Sequence, residues 1–222
     1  MKSLRALLLA FALAAIAMLI AGVSPLDGFW ALFVGALGGR QQIAETLVQT
    51  TALLFPALGI TLAFRAGLFN IGAEGQLVVG ALAAGIAGAA FAPPGWIAIP
   101  ILLIAGCIGG AIWGGIAGWL RARFHASEII STLMLNFIAL ALANYLISGP
   151  LKSSAGAETA MLPASSWLPA LIGGTRLSIA LLIAVAAAFL LRFVFTRTVF
   201  GFDLRAAGQA PEAARRSGIN MP

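Results

Sequence analysis

Charge is what this sequence has least of. Only 9% of its 222 residues are Asp, Glu, Lys or Arg and 61% are apolar, whereas a soluble domain carries about 25% charged residues. With a mean hydropathy of +1.04, the chain has more apolar surface than a soluble fold can bury. Cysteine is nearly missing: Cys107 stands alone, so no intrachain disulfide can form and the redox compartment stays unread. The single histidine, His125, excludes metal and protease motifs that need two. It has no nucleophile motif beside it, so enzymatic chemistry is not expected, nor is a metal or cofactor. The only lysines are Lys2 and Lys152, and neither follows a glycine. There is thus no Walker A phosphate loop in this sequence, and the chain itself is not expected to hydrolyse ATP. The formal charge of +6 does not point to nucleic acid, because the basic residues are dispersed between apolar runs and not clustered with aromatics.

What is present is a series of long runs without charge, each near the ~20 residues that cross a bilayer as helix. Six spans are predicted, at about 6–23, 43–64, 76–92, 96–120, 128–148 and 177–195, giving an all-α, polytopic helical bundle embedded in lipid. Short alternating strands, which a membrane β-barrel would need, do not occur. The first run follows Lys2 and Arg5 like a signal peptide, but it is long and lacks a clear cleavage site, and it is read as an uncleaved span. Placing the N-terminus in the cytoplasm puts Lys2, Arg5, Arg65, Arg121, Arg123, Arg192, Arg197, Arg205, Arg215 and Arg216 inside and only Arg40, Lys152 and Arg176 outside. By the positive-inside rule both the N-terminus and the segment after Phe195 are then cytoplasmic. The external connections become 24–42, the short turn Pro93-Pro94-Gly95, and the stretch 149–176.

Glycines at 106, 110, 114 and 118, with Gly80, Ala84 and Gly88 in the preceding span, lie at four-residue intervals. Such stripes let helix backbones approach in lipid, and close packing accounts for them better than a solute-lining role does.

Polar residues break the apolar pattern in few places. In Phe69-Asn70-Ile71-Gly72-Ala73-Glu74-Gly75-Gln76 three polar side chains and two glycines interrupt it, and the start should be irregular. Broken backbone at membrane depth is tolerated where protein or a water-filled cavity satisfies it, which makes Asn70, Glu74 and Gln76 solute-pathway candidates. A plain cytoplasmic turn after Arg65 is the simpler alternative. In the fifth span Glu128, Thr132 and Asn136 fall four apart. They could bond to neighbouring helices or line a solute path. Glu128, near Arg121, Arg123 and His125, reads as a helix-start cap or an arginine partner; Thr132 and the deeper Asn136 join the pathway candidates. On the latter reading, replacing Asn136 with leucine lowers uptake without harming assembly. A similar stripe, Gln42, Glu45, Thr46 and Gln49, sits on the external half of the second span.

Near the end, Pro211 suits a first helical turn, Glu212 the positive end of a short helix, Arg215 and Arg216 its negative end, and Gly218 a left-handed cap. A helix this short must dock on something, either a partner or the lipid headgroups.

Three stretches, FRAGLFNIGAEGQLVVGALAA from Phe64, SEIISTLMLNFIALALANYLISGPLK from Ser127 and GFDLRAAGQAPEAARRSGIN from Gly201, together resemble the permeases of bacterial ABC importers in the branched-chain amino acid/ribose-type superfamily. The FNIGAEGQ string is most similar to the nucleoside and simple-sugar branch. The resemblance implies a plasma-membrane (inner-membrane) permease that forms a path for nucleosides or simple sugars. Its implied partners are cytoplasmic ATPase subunits, a second permease, identical or paralogous, and an extracytoplasmic solute-binding protein. It also implies that 196–222 is a cytoplasmic coupling segment on a single permease domain, with Arg205, Pro211, Glu212, Ala213, Ala214 and Gly218 contacting the ATPase. Members of the family usually continue for several more spans, so the chain looks like the N-terminal part of such a permease. The competing reading is an ion-coupled secondary transporter, which needs carboxylates within the membrane. The seven acidic residues lie at span ends or in loops, with Glu74 the one plausible exception.

Overall fold

The computed structural model describes residues 2–91, 95–153, 156, 159 and 161–218. Its helices are α1 (Lys2–Ile20), α2 (Pro25–Leu37), α3 (Arg40–Arg65), α4 (Ala73–Phe91), α5 (Gly95–Phe124), α6 (Glu128–Ser148), α7 (Ala180–Arg197), α8 (Val199–Gln209) and α9 (Pro211–Arg216), with a 3-10 turn at Ala164–Ser166. Among the described residues, six helices are long and apolar enough to cross a membrane: α1, α3, α4, α5, α6 and α7. The chain is a polytopic all-α membrane protein. The expected turn at Pro93-Pro94 lies outside the described residues, as do Glu158 and the last four positions of the expected coupling segment.

Two expectations need correction. The segment 24–42 is not a loop, for it contains the 13-residue helix α2. Pro25 opens that helix and Asp27 sits in its first turn, as helix starts favour. At about 1.5 Å per residue it reaches roughly 20 Å, too short to cross the hydrocarbon layer. The C-terminal segment forms two helices, α8 and α9, where one short helix was expected.

Burial is inverted relative to a soluble protein. Among the described residues the buried apolar side chains are mostly Ala, the buried polar ones are Thr51, Thr132 and Asn136, and no large side chain is fully buried, whereas Leu, Ile and Phe dominate the exposed large apolar set. Helices in lipid pack through small side chains and turn their large apolar ones to the acyl chains, so this distribution follows from the solvent.

The chain divides into two compact units. One comprises residues up to Thr50 with Ala170–Leu181. Within it α1 and α2 meet through Phe11 and Phe29, edge to face at 5.4 Å. A hairpin closes where the Leu171 N–H donates to the Leu177 carbonyl at 2.7 Å, and Arg40 donates to the Gly173 carbonyl at 2.8 Å.

The other unit, Thr51–Pro169 with the chain from Leu182 on, is built on α4, α5 and α6. A Cβ added at Gly80 would lie 2.8 Å from the Gly106 carbonyl oxygen, and one at Gly109 2.6 Å from the Ala83 Cβ. Gly80, Gly106 and Gly110 are therefore helix-packing positions, as their spacing predicts, whereas Gly114 and Gly118 of the same stripe border a cavity. Trp113 Nε1 donates to the Leu135 carbonyl at 3.3 Å, tying α5 to α6. At the end of α5 His125 takes a left-handed conformation, φ +52°, and its N–H donates to the Arg121 carbonyl at 3.0 Å. The single histidine thus serves as a helix terminator.

Candidate functional site

Between α3 and α4 the backbone leaves helical geometry from Leu68 to Gly72. Its amide and carbonyl groups need partners, and helix α6 supplies them. The Phe69 N–H donates to Glu128 Oε1 at 3.3 Å, the Ile71 N–H to Thr132 Oγ1 at 3.2 Å, and the Gly75 N–H to Asn136 Oδ1 at 2.8 Å. Asn136 Nδ2 returns a bond to the Ile71 carbonyl at 2.9 Å. Four-residue spacing on one helix face therefore meets the non-helical segment and the first turn of α4 rung by rung, because side chains at i, i+4 and i+8 stack along that face. Asn136 is 7% exposed and Thr132 4%. Both ends of the Asn136 amide are consumed by backbone.

Gly75 makes this approach feasible. A Cβ there would lie 2.8 Å from Asn136 Oδ1 and 3.2 Å from the Leu135 carbonyl oxygen. Asn70 adds a local turn by accepting from the Gly72 N–H at 2.8 Å. Its amide also faces that of Gln76, with both cross-pairings at 3.4 Å, near the long limit for a hydrogen bond. Glu128 pairs with an arginine, as its neighbours predict: Arg121 Nε stands 3.1 Å from its Oε2.

A cavity of about 1040 Å³ opens beside this clasp. Asn70, Gln76 and Thr132 line it with Phe69, Arg121 and Glu128, and Asp203, Gly208, Pro211 and Arg215 line it from the C-terminal helices. Of the five pathway candidates, these first three border the cavity. Glu74 is exposed at the start of α4 and Asn136 is buried in the clasp; neither is among the lining residues. Sequence reasoning missed Gly67, Gly75 and Gly208 as points of backbone contact, although glycines flanking a polar interruption are the signal that marks such places.

At the C-terminal helices, the Thr198 hydroxyl accepts from the Gly201 N–H at 3.1 Å and caps α8. Arg205 Nε donates to the Gly201 carbonyl at 3.1 Å. Pro211 begins α9, and Gly218 takes φ +82° after it, as the cap pattern predicts. Glu212 and Ala213 are exposed. Ala214 is 3% exposed and packs inward. It therefore does not belong to the outward face of α9.

Residues 42–222 match the family described as "Branched-chain amino acid transport system / permease component". The chain belongs to that permease family. The matched span contains the whole clasp and α8–α9, while α1 and α2 precede it. The chain is 39% identical over 221 residues to the guanosine ABC transporter permease protein of Bacillus subtilis, an alignment that covers 97% of this chain and 63% of that relative. It is 36% identical over 225 residues to the glucose ABC transporter permease protein of Haloferax volcanii, covering 96% and 59%. Against the nucleoside ABC transporter permease protein of Lactococcus lactis the identity is 35% over 226 residues, covering 97% and 62%. The permease chain thus spans about three fifths of the length of these relatives. No solved structure matches it.

Proposed function

We propose that this chain is part of the permease subunit of an ATP-driven importer for nucleosides or simple sugars, with the arginine-rich ends in the cytoplasm. The observation that carries the reading is the family match across 42–222, joined to relatives whose names specify guanosine, glucose and nucleoside transport. The break at 68–72 supports it physically. Unwound backbone beside a cavity is where transporters build solute sites; this cavity is mostly apolar with a few polar groups, and the paired amides of Asn70 and Gln76 offer donors and acceptors that a ribose or a base can exchange for at little cost. Thr132 lines the same cavity. On this reading α9 presents Glu212 and Ala213 to a cytoplasmic ATPase, a second permease completes the path, and an external binding protein delivers the solute.

The ion-coupled alternative gains little from the geometry. Glu74 is exposed at a helix start, and Glu128 is already engaged by Arg121 and the Phe69 N–H.

The test is uptake of labelled nucleoside and labelled glucose by the assembled transporter in proteoliposomes, with and without its ATPase subunits. Uptake should require ATP and the ATPase; uptake that survives without the ATPase and collapses with the proton gradient overturns the proposal. In the same preparation E212K combined with A213W should abolish copurification of the ATPase while leaving membrane insertion intact.

A further inference from the structure

Helix α8 is seated by glycine at both ends. At its start Gly201 is buried against the backbone of Val194 and Phe195. At its end Gly208 lies against the turn that closes α3: a Cβ there would stand 2.5 Å from the Arg65 carbonyl oxygen, 2.7 Å from the Ala66 carbonyl carbon and 2.7 Å from the Gly67 nitrogen. The contact is reciprocal. A Cβ on Gly67, which has φ +77°, would meet the Gly208 Cα at 2.9 Å and its carbonyl oxygen at 3.0 Å. Every one of these neighbours is backbone, so no side chain can swing aside to accommodate a methyl group. Alongside, the Arg65 guanidinium lies 6.0 Å from the centroid of the Phe195 ring, linking the end of α3 to the end of α7.

The chain that leaves this contact reaches the clasp at once. Gly67 is followed by Leu68 and then by Phe69, whose N–H is held by Glu128. On the other side, α9 begins at Pro211, three residues after Gly208. Gly67 and Gly208 border the cavity, but where they touch the contact is backbone against backbone, the least compliant kind, and close-packed atoms transmit displacement. We propose that the Gly67–Gly208 contact is the joint through which displacement of α8–α9 reaches the broken segment 68–72, so that the coupling helices move the solute-lining strand directly. Gly67 and Gly208 are positioning residues that act through Phe69, Asn70 and Ile71. The proposal rests on the reading of α9 as the ATPase-docking element.

The test uses the assembled transporter, permease with ATPase and binding protein, in proteoliposomes. G208A should lower uptake at least tenfold while the ATPase still copurifies and still hydrolyses ATP, so that solute moved per ATP falls. G85A, where an added Cβ meets nothing within 4 Å, serves as the comparison. Normal uptake and an unchanged transport-to-hydrolysis ratio in G208A overturn the joint. If E212K with A213W leaves ATPase binding untouched in the otherwise native protein, the coupling reading fails instead, and the two failures are distinct. Should G208A not accumulate in membranes, spin labels decide in a C107S background. The distance between labels at L68C and Q209C should stay fixed between nucleotide-free and nucleotide-trapped states, while that between L68C and I130C changes. A change in the first distance without the second overturns the proposal.

Discussion

Two polar stripes in this chain look alike in sequence and behave differently in the structure. Glu128, Thr132 and Asn136 on α6 repeat every four residues, and Gln42, Glu45, Thr46 and Gln49 on α3 follow nearly the same rhythm. On α6 each of the three polar side chains meets a backbone group of the segment 69–75. On α3 the partners are an exposed side chain and a carbonyl in the last turn of α2: Glu45 Oε1 lies 3.6 Å from Arg176 Nη1, and Thr46 Oγ1 donates to the Ala36 carbonyl at 2.9 Å. Helical spacing fixes only which face of the helix is polar. What that face does is decided by whether its neighbour has already satisfied its own backbone.

The comparison breaks most visibly at Asn136. Leucine there strands the Gly75 N–H and the Ile71 carbonyl at a buried site, and each unpaired group costs about 1–3 kcal/mol. N136L should therefore destabilise the protein by about 2–4 kcal/mol, read as a fall in its thermal midpoint in detergent, with uptake lost as a consequence. This revises the sequence-based expectation that assembly would be spared. An N136L protein as stable as the parent, with impaired uptake alone, would return Asn136 to the solute path.

Thr132 tests the same stripe with a smaller lever. Valine keeps the shape but removes the acceptor for the Ile71 N–H and the donor that Thr132 gives the Glu128 carbonyl at 2.6 Å. The second loss is mild, since that carbonyl still accepts within the helix. T132V should cost about 0.5–1.5 kcal/mol in the same melting measurement. Because Thr132 also borders the cavity, the concentration dependence of uptake should shift as well; an unchanged half-saturation would confine Thr132 to the clasp.

How much of this was legible beforehand follows from the same physics. The six long helices were readable because a span in lipid must be apolar over its whole length, a constraint no tertiary contact relaxes. Helix α2 was missed although Leu26, Phe29, Trp30, Phe33 and Leu37 carry helical spacing, because a segment too short to span was assigned by topology to a loop. The irregular start at Phe69 was readable from Asn and Gly, yet its pairing with α6, 59 to 65 residues away, was not. A single sequence states that Asn136 needs partners and leaves open whether they are solute or backbone. The contact of Gly208 with Gly67 was equally hidden, since glycine in sequence marks permission to approach and never names what approaches.

The weakest lever lies on α3 and sharpens the comparison from the other side. Arg176 is 79% exposed and Glu45 42% at the side chain, so water screens their attraction and the pair is worth little. E45Q should change the melting midpoint by no more than about 0.5 kcal/mol equivalent, and salt should erase even that difference. T46V, which frees only the Ala36 carbonyl at the C-terminal end of α2, should fall in the same range. If either substitution costs as much as T132V, the α3 stripe is holding backbone in the way α6 does, and the distinction between a clasp and a solvated helix end is lost.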